Sequence, residues 1–189
     1  MKTVIGGGYM KYIVLLRGVN ISGKNKVSMH ELQKKLEVNE YNNIITYLNS
    51  GNIILESDKE NKEIAIDVTN IIRESFKIEI PVYVISYGDL KEIYNNLPDF
   101  SLSQNKELYN NIIFIFPPLS FQNIIDAIGK PSENIDIIQE YKNIIYWSYD
   151  LNNYRKSNWW KKTASTTIKD SITIRTVNTI KRLLELCEI

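Results

Sequence analysis

Between residues 11 and 86 the apolar residues change spacing in the order strand, helix, strand, strand, helix, strand, and few folds accept that order. The run YIVLL at 12–16 suits a central strand. A polar loop follows and ends at Ser28-Met29-His30-Glu31, the pattern of a capping box, with Val27 and Leu32 in the staple positions. Met29, Leu32 and Leu36 then share one helical face. Residues 44–48 and 53–56 read as two strands joined by the tight turn Asn49-Ser50-Gly51-Asn52. Ile64, Val68, Ile71, Ile72 and Phe76 keep the 3.6-residue period of a second helix, and Pro81 opens a strand at 82–86. This is the split β-α-β, ferredoxin-like arrangement, whose two crossovers lay both helices on one face of a four-stranded antiparallel sheet.

A partial echo follows. Residues 112–116 read as a strand, 120–128 as a helix ended by Gly129, and 135–139 with 144–149 as a hairpin turned at 140–143. A polar aromatic stretch surrounds Trp159, and a C-terminal helix is expected from about Thr173, with Val177, Ile180, Leu184 and Cys187 on one stripe. The expected fold class is α+β: a ferredoxin-like subdomain at 10–98, a polar linker at 99–110, and a second, altered α+β subdomain at 111–189. Residues 1–9 (MKTVIGGGY) are read as a leader or cloning remnant, because codons for Ile-Gly-Gly-Gly carry a purine-rich ribosome-binding sequence ahead of Met10.

Composition prunes the partners. The formal net charge of +1 provides no global field toward nucleic acid or membrane, so such binding needs a local cluster. The single cysteine, Cys187, excludes an internal disulfide and a Cys-rich zinc site, which fits a reducing cytoplasm. No apolar run approaches the roughly 18 residues of a membrane span. The lone histidine, His30, falls in the first turn of a helix and reads as a solvated surface residue. Carboxylates are scattered without a metal-ligand or acid–base pattern, so neither metal nor cofactor is expected.

The topology itself suggests a site. In such a sheet the first strand ends at the edge where the second turns into the third, so the loop at 17–26 and the turn at 49–52 should share one rim. Arg17, Lys24 and Lys26 bring positive charge there; Asn20, Asn25, Asn49, Ser50 and Asn52 bring donors and acceptors; Gly18, Gly23 and Gly51 permit exposed amides. That set fits a small phosphorylated or carboxylated ligand, with Arg17 as the natural fork. The competing reading is that these residues only build turns. GVNISGKN at 18–25 also matches the phosphate loop GxxxxGK[ST] except at its last position, but Asn25 replaces the magnesium-holding hydroxyl and the helix begins too late.

Two alternatives remain. YRKSNWWKK at 154–162 interleaves Arg155, Lys156, Lys161 and Lys162 with Trp159 and Trp160, a pattern for single-stranded nucleic acid, unless one tryptophan packs beneath the segment. The other alternative is a structural or self-associating protein without a ligand.

Three segments carry a family resemblance. LLRGVNISGKNKVSM at 15–29 resembles LLRGINVGGKN followed by a methionine-led helix, and TYLNSGN at 46–52 resembles TYIQSGN. TIRTVNTIKRL at 173–183 is similar to TxRNWNTVxKL, with Thr176 and Val177 in place of the Asn-Trp pair. These are patterns of the bacterial domain of unknown function 1697 (DUF1697). The resemblance implies two linked α+β subdomains and no established activity, cofactor or substrate. It also suggests that Arg175 and Asn178 contribute to the ligand site from the second subdomain.

Overall fold

The computed structural model describes residues 8–102, 105–164 and 168–189, so the expected leader lies outside the described residues apart from Gly8 and Tyr9. The chain divides into two compact units, one of Met1–Leu90 with Leu186–Ile189 and the other of Lys91–Glu185. This boundary precedes the expected linker at 99–110, which instead holds a short helix and the start of a strand.

The first unit runs β1 (Met10–Leu16), α1 (Met29–Val38), β2 (Asn42–Tyr47), β3 (Asn52–Ser57), α2 (Asn61–Phe76) and β4 (Val82–Ser86). Its sheet has the order β2-β3-β1-β4, every neighbouring pair antiparallel. Each helical crossover therefore skips one strand. Alternate β1 residues Tyr12, Val14 and Leu16 join Leu32 and Leu36 of α1 and Ile64, Val68 and Ile72 of α2 in one core, which sets both helices on the same face. Each fully buried aliphatic there stabilises by about 2 kcal/mol. Ser28 caps α1 by accepting from the Glu31 amide at 3.2 Å, but the return bond of a capping box is not made. The reciprocal box forms at α2, between Glu60 and Glu63.

Tyr41 and Lys59 both donate to the Asp67 carboxylate of α2, at 2.9 and 2.7 Å. The Lys59 hydrogen bond, helped by that of Tyr41, holds the Asp67 carboxyl below its usual range. The last residues of the chain belong to this unit: the Lys11 ammonium donates to the Cys187 carbonyl and the Tyr87 hydroxyl to the Glu188 carboxylate at 2.8 Å. Burial, the largest effect on the Cys187 thiol, pushes its pKa up to about 11, as suits a packed and unreactive cysteine.

Helix α3 (Tyr87–Asn95) spans the boundary, and α4 (Asp99–Leu102) follows. The second unit continues with β5 (Leu108–Ile115), α5 (Phe121–Ile128), β6 (Asp136–Tyr141) and β7 (Ile144–Asp150). A 3-10 turn at Tyr154–Lys156, α6 (Asn158–Lys162), a second 3-10 turn at Lys169–Ser171, β8 (Ile172–Thr176) and α7 (Val177–Cys187) complete the order. The sheet is again fully antiparallel, in the order β6-β7-β5-β8. The echo is thus complete in topology, and the helix expected from Thr173 is corrected: residues 172–176 are the fourth strand and the helix starts at Val177. The β-branched run Ile172-Thr173-Ile174 favours a strand, and Thr176 caps the helix directly, its hydroxyl accepting from the Thr179 amide at 3.1 Å.

In the second core α5 contributes Ile124 and Ile128, while the crossover from β7 to β8 contributes Trp159 and Ile168 in place of a long helix. Trp159 is fully buried, its ring 6.2 Å from that of Trp147 and its indole N–H donating to the Gly129 carbonyl at 3.1 Å. Buried Asp136 gathers three donors, Trp147 Nε1 at 3.0 Å, Ser157 Oγ at 2.6 Å and the Ser132 amide at 3.0 Å. No helix among the described residues is long and apolar enough to cross a membrane.

Candidate functional site

The first unit's rim is assembled by backbone pairing. The Leu16 amide donates to the Gly51 carbonyl at 2.8 Å and the Arg17 amide to the Pro81 carbonyl at 3.0 Å, which brings the end of β1 against the β2–β3 turn and the entry to β4. Gly51 admits no side chain: its φ is +80°, and a Cβ would lie 2.6 Å from Leu16 Cβ and 2.8 Å from Val19 Cγ2.

The loop after β1 folds on itself. Gly18, Asn20, Ser22, Gly23 and Asn25 all hold positive φ, a conformation open to glycine and tolerated by asparagine. Asn20 is the hub. Its side-chain N–H groups donate to the Val27 carbonyl at 2.9 Å and the Asn49 carbonyl at 2.8 Å, while its oxygen accepts from the Val27 amide at 2.9 Å. The loop and the hairpin turn are therefore tied by one side chain. Asn25 donates to the Gly18 carbonyl at 3.1 Å. Asn52, fully buried, donates to the Tyr47 carbonyl and to Ser50 Oγ, closing the hairpin.

An open recess of about 590 Å³ lies between this loop and the first turn of α1, lined by Asn20, Gly23, Lys26, His30 and Asn49 with Ser28 at the helix cap. Of the residues assigned from sequence, Asn20 and Gly23 line it. Arg17, Gly18, Lys24, Asn25, Ser50, Gly51 and Asn52 belong to the same rim but not to the recess wall. Sequence reasoning missed His30 as a lining residue, although the cap at Ser28 already fixes it in the first turn of a helix whose amide ends favour anions. None of the described lining residues is a carboxylate, and Glu31, the acid of that turn, lines a different groove with Lys35.

Arg175 and Asn178 lie in the second unit. Arg175 is buried on β8 and donates to Thr173 Oγ1 and the Ile174 carbonyl, both at 2.9 Å. Asn178 is exposed in the first turn of α7. In the basic aromatic segment, Trp159 offers no face to a base, because it is core. Lys162 donates to the Ile128 carbonyl at 2.7 Å, at the end of α5. Trp160 is 42% exposed and meets Tyr154 edge-on at 4.8 Å, and Arg155 lies over the Tyr154 ring at 5.7 Å. Lys156 and Lys161 are exposed. No cluster of metal-ligating side chains occurs among the described residues.

The family model of a protein of unknown function (DUF1697) matches residues 10–146. Among solved structures, the chain is similar to the conserved bacterial protein SP0830 from Streptococcus pneumoniae. That likeness has 22% identity and a TM-score of 0.82, over 95% of this chain and 99% of that one. At such identity it speaks for the fold alone. No curated protein matches the sequence.

Proposed function

Starting from the fact that the chain belongs to the DUF1697 family of proteins of unknown function, we propose that the recess beside α1 binds a small anionic ligand, phosphorylated or carboxylated. The observation that carries this reading is the pairing of Lys26 and His30 with the N-terminal turn of α1 around a recess whose described lining includes no acid. Helix amides and lysine both favour negative charge, and Arg17 and Lys24 on the same rim add to the positive potential. Calorimetric titration of the full chain with inorganic phosphate and with succinate tests it. Saturable binding that weakens about tenfold in Lys26→Ala is the expected result, the scale of one charge-assisted contact. Binding unchanged by that substitution, or none for either anion, overturns the proposal.

A second reading draws on the exposed Trp160, set edge-on to the partly buried Tyr154, with Arg155 and Lys156 as a stacking surface for single-stranded nucleic acid. It requires salt-sensitive binding of an oligonucleotide that is lost in Trp160→Ala, a substitution outside the core.

A further inference from the structure

The second unit has a recess of its own, about 560 Å³ in volume, within the range of small-molecule sites. Because β8 runs into α7 without a loop, the first turn of α7 opens beside β5, whose Asn111 pairs with Thr176. Asn178 and Lys181, three residues apart, share a face of α7 and line the recess. Lys106, Tyr109 and Asn110 line it from the segment that leads into and begins β5, and Ser101 from the end of α4.

Three observations point to a ligand. First, the described lining contains two lysines and no carboxylate, and neither Lys106 nor Lys181 makes an ion pair among the described residues. Second, Ser101 is only 4% exposed, yet its hydroxyl has no hydrogen-bond partner, which native interiors avoid unless a partner arrives from elsewhere. Third, Ser148 Oγ donates to the side-chain oxygen of Asn110, leaving the Asn110 amino group as the donor at the recess. Tyr109 is steadied by the Tyr149 ring, with centroids 5.3 Å apart.

We propose that this recess binds a phosphorylated ligand that also carries hydroxyl groups, in chemical class a sugar phosphate. Lys106, Lys181 and the amide end of α7 suit the phosphate, while the amides of Asn110 and Asn178 and the Ser101 hydroxyl suit the hydroxyls. The site is separate from the recess beside α1 and does not depend on it.

Amide chemical shifts of the full chain, titrated with glucose 6-phosphate and in parallel with inorganic phosphate, test the proposal. Saturable shifts at Asn178, Lys181 and Asn110, with glucose 6-phosphate tighter than phosphate, are expected. The double variant Lys106→Ala/Lys181→Ala should weaken them about tenfold or more, the scale of at least one charge-assisted contact, with no change in thermal midpoint. Asn178→Asp, which places a carboxylate in the recess, should weaken binding likewise. Absence of saturable shifts at these residues, equal binding in the double variant, or equal affinity for the two probes overturns the proposal. Shifts confined to Lys26 and His30 would overturn it while supporting the other recess.

Discussion

β1 and β5 hold the same place in their sheets, and the chain leaves them by different routes. Leu16 and Ile115 each donate an amide to the residue that precedes the neighbouring strand, Gly51 and Asn143, and Arg17 and Phe116 each donate to the residue before the last strand, Pro81 and Ser171. Up to that point the two edges match bond for bond. In the first unit eleven residues, 17–27, then separate the strand from the Ser28 cap, five of them at positive φ and tied across the hairpin by Asn20. In the second, only Phe116-Pro117-Pro118-Leu119 precede the Ser120 cap. The crossovers diverge too, a four-turn α2 against a chain pinned by Trp159 and Asp136. The edge pairing and core satisfy the topology. The polar chemistry at each end is an addition that one unit placed after its first strand and the other beside its final helix.

The sharpest way to break this comparison is Asp136→Ala, which would leave two buried donors and one partly buried donor without an acceptor. At about 1–3 kcal/mol for each, a loss of about 4 kcal/mol is expected. Urea unfolding followed by tryptophan fluorescence measures it, because all three tryptophans lie in the second unit. A smaller loss, about 3 kcal/mol, is expected for Gly51→Ala, where both φ and the approach of Leu16 oppose a Cβ, against about 1 kcal/mol for its counterpart Asn143→Ala. Amide exchange in β1 and in β5 separates the two. Equal losses would show that the rims are built alike after all.

The smallest effect concerns pH. The Asp67 carboxyl is held below its usual value by Lys59 and Tyr41, so its contribution is present above the unfolded value near 3.8 and is lost as pH falls through the folded value. Asp67 is substantially exposed, so Asp67→Asn should cost under about 1 kcal/mol at pH 7 and less in acid below the unfolded value, by denaturant midpoints at both.

Where apolar spacing was strong, the sequence was readable: β4 lies at 82–86 as expected, and α5 runs from its Ser120 cap to Gly129. The failures share a cause. At Ser86-Tyr87 and Thr176-Val177 a strand passes into a helix with the strand's own hydroxyl as cap, so no intervening loop marks the boundary. Apolar spacing alone therefore hides α3 and merges β8 with α7. The meeting of the loop at 17–26 with the turn at 49–52 was legible because topology dictates it. Which cations line the recess was not, because that depends on five left-handed residues and on how Asn20 and Asn25 fold the loop back. Trp159 illustrates the same limit, since spacing within YRKSNWWKK does not tell the core tryptophan from its exposed neighbour.

The return of Leu186–Ile189 to the first unit has a consequence for synthesis. A ribosome releases β1 through β4 long before the residue whose carbonyl receives Lys11, so that unit is completed only after its sister's strands have emerged. A change within Leu186–Ile189 therefore bears on the unit of β1 to β4.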